Sequence, residues 1–419
     1  MSAFDNDDFI DAELFTPVNI AKYDQNIDYL LYVPENINVP ANYKSPPLTF
    51  LEEKHQKKKT EQQYSFIPLF DLPEEEVKVE KVSKTVIPSP YIVNGLKVSS
   101  MEQILKLLPK DVNFFYDVFS GSSSVGVNTN AKVIVCLDTN SVHVQILKYL
   151  QRHTYEELAR KLDFLAERYG LSNSAAFGYA YYNSNSNDGL SDYNREPYLN
   201  LRSDYNHLLN QLKVKNYLQS VNGNKQEGQE SLKIKNATKE HTPKLVFNDD
   251  MLIRVIMLII YGFNNFARFN HKGLFNLPVG KRDFSIKVRE RYKDYLNLLN
   301  SKHIDFAENN FSDLDINQLI QEQAFLYFNP PCVLNEDDLQ NSWSFDLEAE
   351  LYSFLEDLNK NGLRFAVSTF IQFQGKYNYR LLDWCHSNRF NINFIQGNNE
   401  EESFATRTLE VVITNYING

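Results

Sequence analysis

A doubly wound α/β domain interrupted by a helical block is what this sequence predicts, on three observations. Two short apolar runs, Val112 to Val118 (VNFFYDV) and Lys132 to Leu137 (KVIVCL), are rich in β-branched and aromatic residues, as buried parallel strands are. A turn of small residues, Ser120 to Gly126, lies between them. Three later runs of the same kind, Ala324 to Phe328, Arg364 to Thr369 and Leu409 to Thr414, alternate with helical stretches.

Residues 1–85 differ from the rest. They hold Pro17, Pro34, Pro40, Pro46 and Pro47, a basic cluster at Lys57, Lys58 and Lys59, and acidic runs. No sustained helical or strand period runs through them, which predicts a tail or wrapped arm. Regular patterning starts near Pro88 with the first strand run behind it. Helical periods fill residues from about 143 to 215, as in YEELARKLDFLAERYG (Tyr155 to Gly170). A polar insert, Ser220 to Thr242, precedes a further helix over Met251 to Ile260, and Asp346 to Leu358 is helical again. The expected division is an extension (1–85), a sheet domain in two pieces (86–145 and 305–419) and a mostly helical insert (146–304).

The chain has 419 residues, 42% of them hydrophobic, so it can bury a sizeable core. Its net charge is −11, but the acid is unevenly placed. Asp5, Asp7, Asp8, Asp11 and Glu13 open the chain, and Glu74, Glu75 and Glu76 follow. Between Arg254 and Lys293 the balance reverses, with Arg268, Lys272, Lys281, Arg282, Lys287, Arg289 and Arg291 between them. A local basic face of this kind can serve nucleic acid. Cys136, Cys332 and Cys385 are too far apart for metal-ligand spacing, and an odd count argues against a disulfide framework. No metal is expected. The early aspartates forbid a signal peptide, and the longest apolar stretch, Val255 to Tyr261, is too short to span a bilayer. A cytoplasmic protein with no membrane partner is expected.

Three places carry chemistry. The first is Tyr261 to Arg282 (YGFNNFARFNHKGLFNLPVGKR), where Asn264, Arg268, Asn270, Lys272, Gly273, Asn276 and Gly280 stand among phenylalanines. Arg and Lys supply charge, Asn supplies amide hydrogen bonds, and glycine admits a ligand close to the main chain, as a phosphate-binding surface needs. An ordinary aromatic-rich loop fits the same residues. The second is DVFSGSSSVG (Asp117 to Gly126). A small-residue turn at the carboxyl end of a parallel strand lets the backbone approach a nucleoside, and an acid ending the next strand, Asp138, can take ribose hydroxyls. An unspecific turn of a dinucleotide-type fold accounts for it equally.

The third is FLYFNPPCV (Phe325 to Val333), where Pro330 and Pro331 fix two successive φ angles and remove two donors. That turn resembles the D/N-P-P-Y/F turn of amino-methyltransferases, and the resemblance implies methylation of an exocyclic amine. In such a turn two acceptors, one side-chain oxygen and one proline carbonyl, would hold the two N–H groups and aim the nitrogen lone pair at a sulfonium methyl. An aromatic fourth residue would stack on the flipped base.

Together these segments resemble Dam-like (D12-class) DNA adenine-N6 methyltransferases of restriction–modification type. The basic run matches every fixed position of the pattern F-N-x-x-x-R-x-N-x-x-G-x-F-N-x-P-x-G. Against the motif D-x-F-x-G-x-G-S-V, Asp117, Phe119, Gly121, Ser124 and Val125 match, and Ser123 replaces the second glycine. PYIVNGLK (Pro90 to Lys97) is similar to the family's opening segment, through Tyr91, Gly95 and Lys97. LAERYGLSNS, YNREPYLNLRSDYN, LRFAVSTF and LEVVITNY extend the likeness over residues 88 to 417. The resemblance implies a Rossmann-like methyltransferase sheet with an inserted DNA-recognition domain, S-adenosylmethionine as cofactor and double-stranded DNA as partner. It implies cofactor contacts from Tyr91, Lys97, Asp117, Phe119, Gly121, Ser122 and Asp138. It implies DNA contacts from Asn264, Arg268, Asn270, Lys272 and Asn276, and a catalytic turn of Asn329, Pro330, Pro331 and Cys332. The family has Asp and Tyr at the ends of that turn. Asn329 can still accept, but Cys332 has no π-face, and Phe328, Trp343 or Phe345 would have to supply one. A catalytically impaired DNA-binding subunit is the alternative, and a small-molecule enzyme of the same fold is a second one, disfavoured by the basic stretch. Gln63 to Phe70 (QYSFIPLF) resembles a bacterial sliding-clamp-binding peptide, and an arm packing on the catalytic domain fits it as well.

Overall fold

The computed structural model describes residues 86–93, 98–182, 189–223, 245–270, 272–335, 343–395 and 408–417. The expected arm, the segment Gln63 to Phe70, Gly95 and Lys97 lie outside them.

The described strands form one sheet in the order β3-β2-β1-β4-β5-β8-β7, with β6 paired to β5. They are β1 Phe114–Val118, β2 Val133–Asp138, β3 Ile304–Glu308, β4 Phe325–Phe328, β5 Arg364–Phe373, β6 Lys376–Tyr377, β7 Asn391–Phe394 and β8 Leu409–Thr414. β3, β2, β1, β4 and β5 run parallel, and β8 is antiparallel to both β5 and β7. From β1 the chain builds outward through β2 and β3, then returns to β4 on the other side of β1. The crevice at the carboxyl ends of β1 and β4 is therefore a topological switch point, where ligands of such sheets bind.

All five strand runs expected from sequence are strands. β3 (IDFAE), β6 and β7 (NINF) were not expected, because β3 and β7 stand at the sheet's two edges and carry Asp, Glu or Asn among few apolar residues. Short polar edge strands lose the apolar run that marks a central strand.

Around the sheet lie α1 Val98–Leu107, α2 Ser124–Asn128, α3 Ser141–Gln151, α4 Tyr155–Tyr169, α5 Leu190–Gly223, α6 Asp249–Tyr261, α7 Ile286–Asn300, α8 Phe345–Lys360 and α9 Tyr379–Asn388. The helical pattern from 143 onward is broken by local signals. Thr154 and Glu157 form a reciprocal capping box at the start of α4, and Gly170 ends it in the left-handed region at φ 73. Every residue of α6 from Met251 to Tyr261 is buried, as its all-round apolar sequence requires.

Alternation along the strands splits the core. Phe115, Ile134 and Tyr327 face a cluster that continues unbroken into the helical block through Leu158, Tyr205, Ile256 and Tyr295. Tyr116, Leu326 and Phe365 face a second cluster with Leu355 of α8 and Leu381 of α9. The helical block thus covers one face of the sheet and reaches the switch point from that side. Among the described residues, no helix is long and apolar enough to cross a membrane.

Candidate active site

The turn after β1 is shaped by left-handed residues: Phe119 at φ 62, Gly121 at φ 52 and Ser123 at φ 54. Two carboxylates hold it. Asp138 Oδ2 accepts from the Gly121 N–H at 2.8 Å, and its Oδ1 accepts from the Asn140 N–H at 2.7 Å. Asp117 Oδ2 accepts from the Gly126 N–H at 2.8 Å. Burial raises the Asp117 pKa to about 7, against the pull of the Gly126 hydrogen bond and with a smaller push from Asp138. A Cβ on Gly126 would lie 2.8 Å from Cys136 Sγ and 2.9 Å from Asp117 Oδ2, so only glycine fits over this strand pair. Asp117, 2% exposed, braces the turn from beneath.

Around this turn, the Ser122 carbonyl accepts from the Tyr295 hydroxyl at 2.9 Å. Phe119 sits between Phe311, at 5.7 Å, and Trp343, edge-on at 5.5 Å. Tyr91 is buried, its hydroxyl without a partner among the described residues, and Val93 approaches Gly121 so closely that a Cβ there would meet it at 3.4 Å.

β4 brings the Pro-Pro turn to the same place. Val118 pairs with Phe328, and the Asn329 N–H donates to the Val118 carbonyl at 3.3 Å. Neither the Asn329 carboxamide nor the Pro330 carbonyl has a hydrogen-bond partner among the described residues. Asn329, Pro330 and Pro331 are half-buried, whereas Cys332 is buried and its carbonyl accepts from the Asn335 N–H at 3.0 Å. Of the three aromatics that could replace the missing ring, Phe328 is buried against Phe354, and Phe345 lies exposed beneath the Arg380 guanidinium. Trp343 packs on Phe119 and buries an indole N–H that has no partner among the described residues.

The basic run folds back on itself. Asn264 and Asn265 are successive left-handed residues at φ 52 and φ 58, which asparagine tolerates better than most side chains. Gly280 lies on the main chain of Gly262, where a Cβ would stand 2.4 Å from the Gly262 carbonyl oxygen, and a Cβ on Gly262 would stand 2.6 Å from the Leu258 carbonyl oxygen. These two glycines therefore bring backbone to backbone rather than backbone to ligand, contrary to the expectation for Gly280. Asn270 Oδ1 accepts from the N–H groups of Lys272 and Leu274, both at 3.0 Å, and closes a turn with Gly273 at φ 70. Its carboxamide oxygen is thus engaged within the loop. Asn264, Arg268 and Lys272 are exposed, and Asn276 is half-buried with a side-chain Oδ1 that lacks a partner among the described residues. Two bases of the wider stretch are structural: Arg254 is buried against Asp250 and Tyr169, and Arg289 binds Asp163 over the Phe284 ring.

Sequence patterns did not single out His143, which joins the two halves of the site. Its ring lies 6.3 Å from that of Tyr91 and 6.2 Å from that of Phe269. Alongside it, Ile92 donates to the Asn265 carbonyl at 3.0 Å and accepts from the Ala267 N–H at 2.9 Å. The segment before the Phe119 to Gly126 turn and the basic run are thereby one unit.

The profile of the D12 class N6 adenine-specific DNA methyltransferases matches residues 94–379. The modification methylase StsI of Streptococcus sanguinis is 26% identical over 345 residues, which cover 80% of this chain and 44% of that protein. The type II methyltransferase M.FokI of Planomicrobium okeanokoites is 26% identical over 347 residues, again 80% and 44%. The modification methylase LlaI of Lactococcus lactis subsp. lactis is 24% identical over 337 residues, 78% and 43%. The chain spans less than half the length of these relatives. On the match across most of its described sheet and helical block, the chain belongs to the D12 class of N6 adenine-specific DNA methyltransferases.

Proposed function

We propose that this chain transfers a methyl group from S-adenosylmethionine to N6 of an adenine flipped out of double-stranded DNA, in the cytoplasm and within a restriction–modification system. The observation that carries the reading is the meeting of two turns. The Asn329–Pro330 turn, whose two acceptors have no partner among the described residues, is bonded to the end of β1, where the Phe119 to Gly126 turn begins.

The residues present fit the cofactor. Each Asp138 oxygen uses one lone pair on a loop N–H, and the half-buried carboxylate keeps acceptor capacity for two ribose hydroxyls. Gly121 and Ser122 supply a close-approach backbone, with Tyr91 and Phe119 flanking it. Asp117 acts through the loop it braces. When bound, the cofactor supplies an electrophilic methyl on a sulfonium. Asn329 Oδ1 and the Pro330 carbonyl accept the two N–H bonds of the target amine and turn its lone pair toward that methyl. The nitrogen would gain the methyl as the carbon–sulfur bond of the sulfonium breaks to leave a neutral thioether, and would lose one proton to solvent.

Residues 86–145 and 305–419 would then be the catalytic part, and 146–304 the DNA-recognition part. Arg268 and Lys272 would neutralise phosphates, with Asn264 and Asn276 at their side. Cys332, buried and without a ring, favours a second reading, a DNA-binding subunit with an impaired site. Tritium transfer from labelled cofactor to mixed-sequence duplex DNA, followed by nucleoside analysis, decides between them. N6-methyladenine is expected. Methylcytosine alone would overturn the reading, and DNA binding without transfer would favour the second.

A further inference from the structure

We infer that His143 is a positioning residue that makes the binding of cofactor and of DNA cooperative. The inference rests on the methyltransferase reading of the site and adds a coupling between its two ligands.

Three observations carry it. His143 stands in the first turn of α3, just beyond the Asp138 that holds the cofactor turn, and Asn140 Oδ1 caps its backbone N–H at 3.4 Å. Its ring is the middle of an aromatic chain: Tyr91 on one side, Phe269 on the other, and Phe275 edge-on to Phe269 at 5.5 Å. Tyr91 belongs to the cofactor side, whereas Phe269 lies between Arg268 and Asn270 of the basic run. The Ile92–Phe266 bridge runs beside this chain and fixes the two segments to each other.

The third observation is polar. His143 is 3% exposed, yet among the described residues its Nδ1 has no hydrogen-bond partner, and neither has the buried hydroxyl of Tyr91. Burial holds the imidazole below its ordinary pKa against the pull of Asp138, so the ring is neutral. Whichever tautomer it takes, one buried polar atom goes unsatisfied. Packing alone would be served by a Phe or Leu there. Two orphaned atoms on adjacent rings beside the cofactor turn are groups whose partners arrive with a change at that turn. Any shift of Tyr91 or His143 that satisfies them moves the ring on which Phe269 rests, and with it Arg268. By linkage, DNA that sets Phe269 biases the cofactor side equally.

The test measures the affinity of the full chain for a fluorescent mixed-sequence duplex, with and without saturating S-adenosylhomocysteine. The wild type is expected to tighten at least about fivefold with the analogue, the lower end of usual coupling. His143→Phe keeps a ring of similar size and removes the polar atoms. It should bring that ratio below about twofold while both ligands still bind. A merely structural histidine would lower the thermal midpoint and leave the ratio unchanged, which overturns the inference. So does a wild type that binds both ligands independently. If His143→Phe does not fold, Phe269→Leu cuts the chain from the DNA side, and the same ratio decides. A wild type that binds neither analogue nor DNA refutes the methyltransferase reading itself, and the inference with it, before any variant is compared.

Discussion

The amide of Gly126 donates to Asp117 Oδ2 over 2.8 Å inside a fully buried pocket, so the turn after β1 is pinned by a carboxylate that water scarcely reaches. One hydrogen bond does not offset the burial of that charge, and the Asp117 pKa rises to about 7.

A carboxyl with a raised folded-state pKa binds its proton more tightly folded than unfolded. Its contribution to stability is therefore greatest below the ordinary carboxylate pKa and is lost as pH rises toward about 7. The loss across that window is on the order of 4 kcal/mol. Asp117→Asn keeps an acceptor for Gly126 and removes the ionisation. Urea unfolding of both proteins from pH 5 to pH 8 should show the wild type weakening relative to the variant. Parallel curves would place the Asp117 pKa in the ordinary range.

Gly280→Ala should be strongly destabilising. Its Cβ would stand 2.4 Å from the carbonyl oxygen of Gly262, a backbone atom that cannot step aside. A cost of at least about 2 kcal/mol is expected by urea unfolding. Gly170→Ala is the comparison: it meets nothing within 4 Å, and its cost should be limited to the strain of φ 73. Equal, small losses would refute the close approach of the two glycines.

Asp138→Ala removes the acceptor for Gly121 and Asn140 as well as the one proposed for ribose. Cofactor affinity by calorimetry should fall by about 1–3 kcal/mol. Asp138→Asn, which keeps an acceptor for Gly121, should lose less. An unchanged dissociation constant in both would remove Asp138 from the site.

Arg268 and Lys272 are exposed, and neither side chain has an ion pair among the described residues. Replacing either with Ala should weaken binding to all duplexes alike and lower the salt slope by about 1. Loss confined to one sequence would make the residue a base reader instead.

The central strands and the family were legible in the sequence because both rest on local signals. β1 and β2 are continuous apolar runs, and the NPPC turn announces itself through two prolines. What stayed hidden depends on who sits opposite. Gly280 reads as a ligand-facing glycine until Gly262 is seen behind it. Asn270 reads as a free amide until its oxygen is found closing the Gly273 turn. Arg254 and Arg289 count as surface charge until Asp250 and Asp163 appear. His143 has no sequence signal at all, since its neighbours Tyr91 and Phe269 lie far away along the chain.

Cys332 fills the fourth place of the NPPC turn. The family pattern places an aromatic ring there, and restoring it by Cys332→Tyr would supply about 1–3 kcal/mol of base stacking if the ring could face the base. The side chain is 4% exposed, however, so the larger ring must enter packed surroundings, at a cost of about 1–3 kcal/mol. Trp343 already lies edge-on to Phe119 beside the turn. Cys332→Tyr is therefore expected to lower both the thermal midpoint and methyl transfer, and Trp343→Ala to lower transfer more than Phe345→Ala does. A gain of activity in Cys332→Tyr would show that the wild-type site lacks a stacking face and works below its capacity. No transfer in parent or variant, with cofactor and DNA both bound, would favour the impaired DNA-binding subunit.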